Sequence, residues 1–191
     1  MNSLAPTARA DETGEHIETV VLLDEDGNAV GTAAKATVHT SSTPLHLAFS
    51  CHVLNADGDV LVTRRALSKK TWPGVWTNSV CGHPAPGEPF ADAIARRARD
   101  ELGLELVDIT ESAPDFRYRA VDDSGIVENE ICPVFTARTT GEPVPNPSEV
   151  MAYAWVAPAA LRQAIDSAPW ALSPWLVQHA PALTLFAPDG A

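Results

Sequence analysis

The sequence predicts a single compact domain of the α/β or α+β layered class. Its 191 residues suit one domain with a sizeable core, and no repeat or long linker divides them. Segments typical of strands dominate the middle of the chain, and residues Phe90 to Leu102 show a clear helical period. We therefore expect strands and a few helices packed in layers around one hydrophobic core.

Residues 1–16 are predicted to be a mobile N-terminal tail. They are mostly small and polar, include Pro6 and Gly14, and show no hydrophobic period. The hydrophobic pattern starts near Ile17. We therefore expect the folded domain to span residues 17–187.

Two hairpins are predicted in the first third of the domain. Acidic or polar turn sequences that contain glycine separate the predicted strands, and such turns favour hairpins because glycine readily adopts positive φ. The strands are Glu18 to Leu23 with the segment from Val30, and Leu45 to Leu54 with Val60 to Thr63. Two later strands, Val127 to Ala137 and Met151 to Val156, are separated by the proline-rich loop Gly141 to Pro147.

The clearest helix is predicted between Phe90 and Leu102. Apolar residues recur every four positions, Asp92 stands in the first turn, and Gly103 follows at the C-cap position. Ala159 to Ile165 and Pro174 to Leu185 have weaker helical patterns and follow the last predicted strand.

The charge pattern argues against nucleic-acid or anionic-membrane binding. The formal net charge is −12, whereas affinity for phosphate-rich surfaces comes largely from clustered Lys and Arg. Nine of the 13 Lys and Arg residues nevertheless lie between Arg64 and Arg119. This concentration indicates a pocket for a small anion.

The three cysteines, Cys51, Cys81 and Cys132, are widely spaced and form no CxxC pair, so neither a disulfide framework nor a zinc ribbon is indicated. A reducing compartment fits this pattern. The N-terminus has no basic region followed by an apolar run, and no segment approaches 18 consecutive apolar residues. We expect a cytoplasmic protein.

The segment Thr77 to Pro84 is the first candidate for chemistry. It places Cys81 and His83 two positions apart, and in an extended run both side chains point to the same side. A possible proton donor beside a possible metal ligand suggests a catalytic centre.

A mixed set of imidazoles and carboxylates forms a candidate metal site. Glu128 and Glu130 are two apart in a predicted strand and can face one cavity. The full set is His39, His46, His83, Glu128 and Glu130. Such nitrogen and oxygen ligands suit Mg²⁺, Mn²⁺ or Zn²⁺ better than a closed structural zinc site. From spacing alone, ordinary surface or core histidines remain the alternative.

The cationic run Arg64 to Lys70, with Lys35 and Arg97, is a candidate diphosphate clamp, because Arg binds phosphate through two hydrogen bonds and Lys acts as a point charge. A solvated charge run is the alternative interpretation. The aromatic segments, which carry Trp72, Trp76, Tyr118 and Trp175, are either core or a surface that stabilises a cation.

The segment from Gly82 to Leu104 resembles the Nudix box, Gx5Ex7REUxEExGU, where U is aliphatic. The spacing of Gly82, Glu88, Arg96, Glu101 and Gly103 is kept. Two acids of the box are changed, because Arg97 replaces one Glu and Asp100 replaces the next. The resemblance implies diphosphate chemistry, and the loss of an acid to Arg97 argues against cleavage.

Further segments make the chain similar to type I isopentenyl-diphosphate isomerases, which have a Nudix-type mixed β-sheet layered with helices. The resemblance covers about Lys35 to Trp175. It is carried by the motifs LHLAFS, RRALSKK, WPGVWTNSVCGHP, DFRYRA, GIVENEICPVF and SPW. It implies isomerisation of isopentenyl diphosphate to dimethylallyl diphosphate, through a carbocation-like state, for isoprenoid biosynthesis.

The resemblance also implies roles for individual residues. Cys81 and Glu130 would be the acid and base on either side of the substrate, with Tyr118 close by and Trp175 stacked over the cationic carbon. A tightly held divalent metal would be bound by His39, His46, His83, Glu128 and Glu130. A second ion, Mg²⁺, would arrive with the diphosphate and bind Glu101 and the backbone of Cys81. The diphosphate oxygens would be held by Lys35, Arg65, Lys69 and Arg97.

Two other functions stay open from sequence. A Nudix hydrolase of a nucleoside or other diphosphate would release phosphate or a monophosphate. A noncatalytic metal or diphosphate sensor would have no use for the pair Cys81 and Glu130. The expected partner is a small diphosphate substrate, and the expected assembly is a monomer or a weak homodimer.

Overall fold

A computed structural model describes residues 18–187 of the chain. Within this range, twelve strands form two mixed sheets, and four α-helices lie around them. The predicted layered α+β fold is therefore confirmed. The predicted tail, residues 1–16, lies outside the described residues, and the domain limits 17–187 stay a prediction. Among the described residues, no helix is long and apolar enough to cross a membrane.

The first sheet has five strands in the order β2-β1-β3-β10-β9. The strands are β1 (Thr19–Leu23), β2 (Ala29–Ala34), β3 (His46–Leu47), β9 (Arg117–Val121) and β10 (Val127–Ile131). β3 and β10 run parallel and the other neighbours are antiparallel. The first predicted hairpin is confirmed as β1 and β2, and Gly27 supplies the positive φ of 84° in its turn.

The second sheet has the order β12-β5-β4-β11-β8, with β6 paired to β5 and β7 paired to β4. Its strands are β4 (Phe49–Leu54), β5 (Val60–Arg65), β6 (Trp76–Thr77), β7 (Val80–Gly82), β8 (Val107–Ala113), β11 (Val134–Arg138) and β12 (Val150–Val156). The second predicted hairpin is confirmed as β4 and β5. The short strands β6 and β7 bring the segment around Cys81 against β4 and β5.

Two segments that the sequence predicts as single long strands each form two shorter strands, so these two predictions are wrong. The segment 45–54 divides at Ala48 into β3 and β4, and the segment 127–137 divides before Pro133 into β10 and β11. Pro133 has no N–H to donate, so a continuous ladder cannot pass through it. The two chain segments run side by side as they pass from the first sheet, as β3 and β10, to the second, as β4 and β11. Two hydrogen bonds join them at this point, from the Ala48 amide to the Ile131 carbonyl oxygen and from the Ser50 amide to the Pro133 carbonyl oxygen. The metal-ligand candidates lie beside this crossing.

The four helices are α1 (Lys35–Val38), α2 (Phe90–Leu102), α3 (Pro158–Ser167) and α4 (Pro174–His179). α2 has the predicted bounds, and Gly103 ends it in the left-handed conformation with a φ of 64°. The predicted helix from Pro174 to Leu185 is shorter than expected. It ends at His179, and two 3₁₀ turns follow, because Pro181 cannot donate the next helical hydrogen bond.

The main core lies between α2 and the second sheet. Ile94, Ala98 and Leu102 of α2 are fully buried and pack in one cluster with Phe49 and Leu61. Burial of each large aliphatic or aromatic side chain contributes about 1.5–3 kcal/mol. This packing holds the start of α2 against β7. The loop between Gly82 and Phe90 and the helix that follows it therefore form one rigid wall of the cavity described below.

Candidate active site

A cavity of about 710 Å³ opens where the two sheets and the start of α2 meet. Every site residue predicted from sequence lines it except His46, which is fully buried behind it. The predicted residues that line it are Lys35, His39, Arg65, Lys69, Cys81, His83, Arg97, Glu101, Tyr118, Glu128, Glu130 and Trp175. Side chains from both sheets and three helices therefore converge on one space.

The first cluster in the cavity consists of His39, His46, His83 and Glu130. One potential ligand atom from each lies within 4.8 Å of the others. The backbone register explains part of this grouping, because Glu130 pairs directly with His46 across the parallel strands β10 and β3. Neighbouring side chains on one face of a sheet stand close enough to share an ion.

Glu128 lies at the edge of this cluster. Its Oε2 atom is 3.0 Å from Nε2 of His39, and its Oε1 atom accepts a hydrogen bond of 2.8 Å from the Thr71 hydroxyl. Thr71 therefore orients Glu128 toward His39. Outer hydrogen bonds of this kind commonly fix the ligands of a metal.

The donor atoms in the cluster fit a divalent cation. Nε2 of His39 and Oε2 of Glu128 lie close together, and among the described residues neither of these atoms nor Nε2 of His46 forms a hydrogen bond of good geometry, although all three are buried. Nδ1 of His46 lies 2.9 Å from the Pro44 carbonyl oxygen, so this nitrogen carries the proton and Nε2 keeps its lone pair. Buried polar atoms without partners are rare, and a metal ion would satisfy these.

The electrostatics of the cluster favour positive charge. Burial works to raise the pKa of Glu130, but the adjacent His46 and His83 hold that pKa well below its usual range. Burial works to lower the pKa of His46, but the Glu130 carboxylate raises it overall. A carboxylate that stays ionised when buried needs a cation beside it, and a bound metal ion supplies one.

Cys81 lies on β7 opposite Ser50 of β4. Its thiol donates to the side-chain oxygen of Asn78 at 3.3 Å, and its sulfur lies 3.5 Å from the Ser50 hydroxyl. Burial raises the pKa of Cys81 to about 11, so the thiol is protonated at neutral pH. Tyr118 pairs with Glu130 across β9 and β10, and burial together with that carboxylate raises the pKa of its phenol well above the usual value.

Trp175 lies at the start of α4 and closes one side of the cavity. Its ring centroid is 5.4 Å from that of Trp72 and 5.8 Å from that of Tyr118. The Arg65 guanidinium carbon lies 5.5 Å from the centre of the Trp175 ring. The ring therefore already contacts a cation in this structure, which fits the predicted role of an aromatic face that stabilises positive charge.

Three cations of the cavity, Lys35, Lys69 and Arg97, are paired with carboxylates. Arg97 contacts Glu101, lies 3.5 Å from Glu149 and lies 3.4 Å from Glu18. Lys35 bonds Glu18 at 2.9 Å, and Lys69 bonds Glu149. Desolvation of the guanidinium opposes its charge, but these carboxylates raise the pKa of Arg97 overall.

Two residues of the box act outside the cavity. Glu88 accepts two hydrogen bonds from Arg96, and it also accepts one from the Ala85 amide, so this pair fixes the loop before α2. Asp100 is exposed on α2 and does not line the cavity. Of the carboxyl groups on α2, Glu101 is the one that faces it.

Sequence reasoning missed several polar residues of the cavity: Glu18, Ser50, Thr71, Asn78 and Glu149. Asn78 lies in the segment Thr77 to Pro84, so its place beside Cys81 in the sequence is a signal for its position in the cavity. The other four lie on separate segments, and only the fold brings them together.

The chain is also similar to known proteins. The NUDIX domain family matches residues 44–176. A protein of Kocuria rhizophila named isopentenyl-diphosphate Delta-isomerase is 66% identical over 83% of this chain and 88% of its own length. A protein of the same name from Agromyces mediolanus is 64% identical over 85% of this chain and 79% of its own length.

The chain belongs to the isopentenyl-diphosphate Delta-isomerase family. Solved structures confirm the fold of this isomerase family member. A Deinococcus radiodurans protein, 21% identical, covers 87% of this chain and 99% of its own length with a TM-score of 0.67. A MutT protein of Methanosarcina mazei, 19% identical, covers 72% of this chain and 91% of its own length with a TM-score of 0.56. The predicted Nudix-type fold and the predicted family are both confirmed.

Proposed function

We infer that the protein isomerises isopentenyl diphosphate to dimethylallyl diphosphate. The observation that carries this inference is the convergence of Cys81, Glu130 and Trp175 on one cavity whose outer wall is cationic. Relatives at 64–66% identity carry the name of this isomerase. A Nudix fold alone would not select the reaction, because one fold supports many activities.

We propose that Cys81 and Glu130 form the acid–base pair. Moving the double bond requires one proton added at the terminal alkene carbon and another removed from C2. Two proton-transfer groups must therefore reach the substrate, and Cys81 and Glu130 enter the cavity from different sheets. Positioned acid–base groups contribute about 10² to 10⁴ in rate. Tyr118, paired with Glu130, would support that carboxyl group.

Trp175 would protect the positive charge that develops between the two proton transfers. Its indole face attracts a cation, and its packing against Trp72 and Tyr118 excludes water from that side of the cavity. Exclusion of water matters because a tertiary cation in contact with water is captured as an alcohol.

A divalent metal fits the cluster of His39, His46, His83, Glu128 and Glu130, and which ion is resident stays open among Mn²⁺, Mg²⁺ and Zn²⁺. When bound, it would supply positive charge that fixes Glu130 and lowers the energy of its ionised form. We propose that Mg²⁺ carried by the substrate binds Glu101 and the backbone carbonyl of Cys81.

Four cations would hold the diphosphate: Lys35, Arg65, Lys69 and Arg97. Three of them form ion pairs with the carboxylates Glu18, Glu101 and Glu149. These pairs keep the cations at the cavity wall and fixed in direction before the substrate arrives. Arg97 stands at a position of the Nudix box where a hydrolase has a glutamate, and here it would bind the diphosphate.

Hydrolysis of a diphosphate is the second candidate function, because the fold is shared with hydrolases. The cation Arg97 at an acidic box position and the exposure of Asp100 argue against it. Product analysis by ¹H and ³¹P NMR separates the two functions. We expect dimethylallyl diphosphate with both phosphorus signals of the diphosphate retained; released phosphate or monophosphate would contradict the isomerase function.

A monomer or weak homodimer and a cytoplasmic location remain predictions. The latter rests on the cysteine pattern, and among the described residues Cys51, Cys81 and Cys132 are free thiols.

A further inference from the structure

We propose that Asn78 is a positioning residue that sets the relative orientation of the Cys81 thiol and the Trp175 indole. This role rests on the proposed isomerase function, and it adds a residue that neither the box nor the predicted site contains. Asn78 follows β6 in the turn that leads to β7, and its side chain is fully buried at the back of the cavity.

The side-chain oxygen of Asn78 is the common acceptor for three donors. It accepts from the Trp175 indole N–H at 3.0 Å, from the Cys81 thiol at 3.3 Å and from the Thr77 hydroxyl at 3.0 Å. The proton-transfer thiol and the aromatic ring are therefore tied to one atom, although they lie on different elements, β7 and α4.

The orientation of the amide is fixed from both ends. Its nitrogen donates to the carbonyl oxygen of Cys51 at 3.1 Å and to that of Val80 at 3.0 Å. Carbonyl oxygens can only accept, and an indole N–H can only donate, so a flipped amide would lose these bonds. The oxygen consequently faces Cys81 and Trp175 in every low-energy arrangement.

A second contact ties the start of α4 to the same place. The Ser173 hydroxyl lies 2.8 Å from the Thr77 hydroxyl, and the Ser173 amide donates to the Trp76 carbonyl oxygen. These bonds hold the backbone of α4 against β6. The indole bond to Asn78 then determines how the Trp175 ring is turned within that frame.

The chemical consequence concerns the geometry of the cation. The Cys81 thiol and the Trp175 ring must both contact the carbon skeleton of the same substrate molecule. A displacement of either group by about 1 Å can lower the catalysed rate about 100-fold. Without the Asn78 oxygen, the thiol hydrogen can turn to the Ser50 hydroxyl, and the indole N–H loses its one hydrogen bond among the described residues. We therefore expect lost turnover and more capture of the cation by water.

The test compares Asn78→Ala with Asn78→Asp. Alanine removes both the oxygen and the amide nitrogen, whereas aspartate, protonated because its second oxygen faces two carbonyls, keeps an acceptor oxygen and donates to only one of them. We expect Asn78→Ala to lower kcat about 100-fold while KM and bound metal change less than about threefold. Asn78→Asp should retain more than about ten times the kcat of Asn78→Ala. Equal impairment of the two variants would show that the Asn78 oxygen is not required, which would overturn the proposal.

Ser79→Ala is the matched control. Ser79 is also buried at the cavity, and its hydroxyl bonds the backbone of Leu61 and Val53 with no hydrogen bond to Cys81 or Trp175. This variant should lose stability and keep its kcat. An equal loss of kcat in Ser79→Ala and Asn78→Ala would assign the effect to general loosening of this segment and overturn the proposal.

The wild-type protein offers an independent readout in its indole N–H signals. Trp170 is 85% exposed and serves as the internal reference for an unprotected indole. We expect the Trp175 indole proton to exchange far more slowly than that of Trp170, and a similar exchange rate would overturn the proposed hydrogen bond. A wild-type protein that forms no isomer would instead overturn the proposed function. If the wild type is active and a folded Asn78→Ala variant has the same kcat, only the proposed role of Asn78 is overturned.

Discussion

Gly82 lies directly against the side chain of Arg97. A Cβ atom added at Gly82 would be 2.9 Å from Cγ of Arg97 and 3.1 Å from Cζ of Phe49. Both distances are shorter than ordinary van der Waals contact. Gly82, the first glycine of the Nudix box, is therefore required because β7 packs closely on α2 at this point. The contact involves Arg97, which we propose binds the diphosphate.

Gly82→Ala tests this contact. Arg97 is held by Glu101 and cannot move freely, and Phe49 is a buried ring, so we expect a loss of about 1–3 kcal/mol in stability. We also expect a higher KM for isopentenyl diphosphate, because Arg97 is displaced. Urea denaturation and steady-state kinetics measure the two effects. Gly141→Ala is the control, since its added Cβ would meet its nearest atom at 3.4 Å; equal effects in both variants would contradict the account.

Thr71→Val should weaken metal binding without removing a ligand. The Thr71 hydroxyl orients Glu128, and loss of such an outer hydrogen bond typically lowers metal affinity about 10–100-fold. Competition with a chromophoric chelator measures the affinity. Thr139→Val is the matched control, because Thr139 is also buried and bonds the Glu105 carbonyl away from the cavity. Unchanged metal affinity in Thr71→Val would remove Glu128 from the proposed ligand set.

Acid should destabilise the fold through a second histidine pair, remote from the cavity. His52 on β4 and His179 at the end of α4 are fully buried, with their Nε2 atoms 2.9 Å apart. Burial lowers the pKa of His52 to about 3 and that of His179 well below its usual value. Phe186 packs against the His52 ring and Phe116 against the His179 ring. These described neighbours are apolar, so they supply no negative charge that would stabilise a protonated imidazole.

The sign of this pH effect follows from the unfolded chain, where histidine has a pKa of about 6.5. Below that pH the unfolded state binds protons that the folded state does not, so stability is complete above about pH 6.5 and falls as the pH approaches 3. We expect a slope of up to about 1.4 kcal/mol per pH unit for each histidine. In urea denaturation at pH 7, 6 and 5 with saturating metal, His52→Gln should show a smaller slope than the wild type. An identical slope in both proteins would contradict this assignment.

Local patterns predicted the local structure well. The two hairpins and α2 follow from turn glycines and a helical period, and the structure has them where they were expected. The family and the fold followed from motifs rather than from periodicity. The predicted residues, apart from His46, line one cavity, and their roles stay predictions.

The errors have a common physical origin. The division of two predicted strands at Ala48 and Pro133, and the early end of α4 before Pro181, depend on which backbone groups find hydrogen-bond partners in the fold. Glu18 and Glu149 reach Arg97 only because distant segments pack together. No spacing in the sequence contains that information.

The most direct test of the account is proton NMR of the reaction in D₂O, with the wild-type protein beside Cys81→Ala. The wild type should form dimethylallyl diphosphate that contains solvent deuterium. Cys81→Ala should still bind isopentenyl diphosphate but lose about 10² to 10⁴ in turnover. Isomer formation at an undiminished rate in Cys81→Ala would contradict the proposed acid–base pair, and absence of any isomer from the wild type would contradict the proposed reaction.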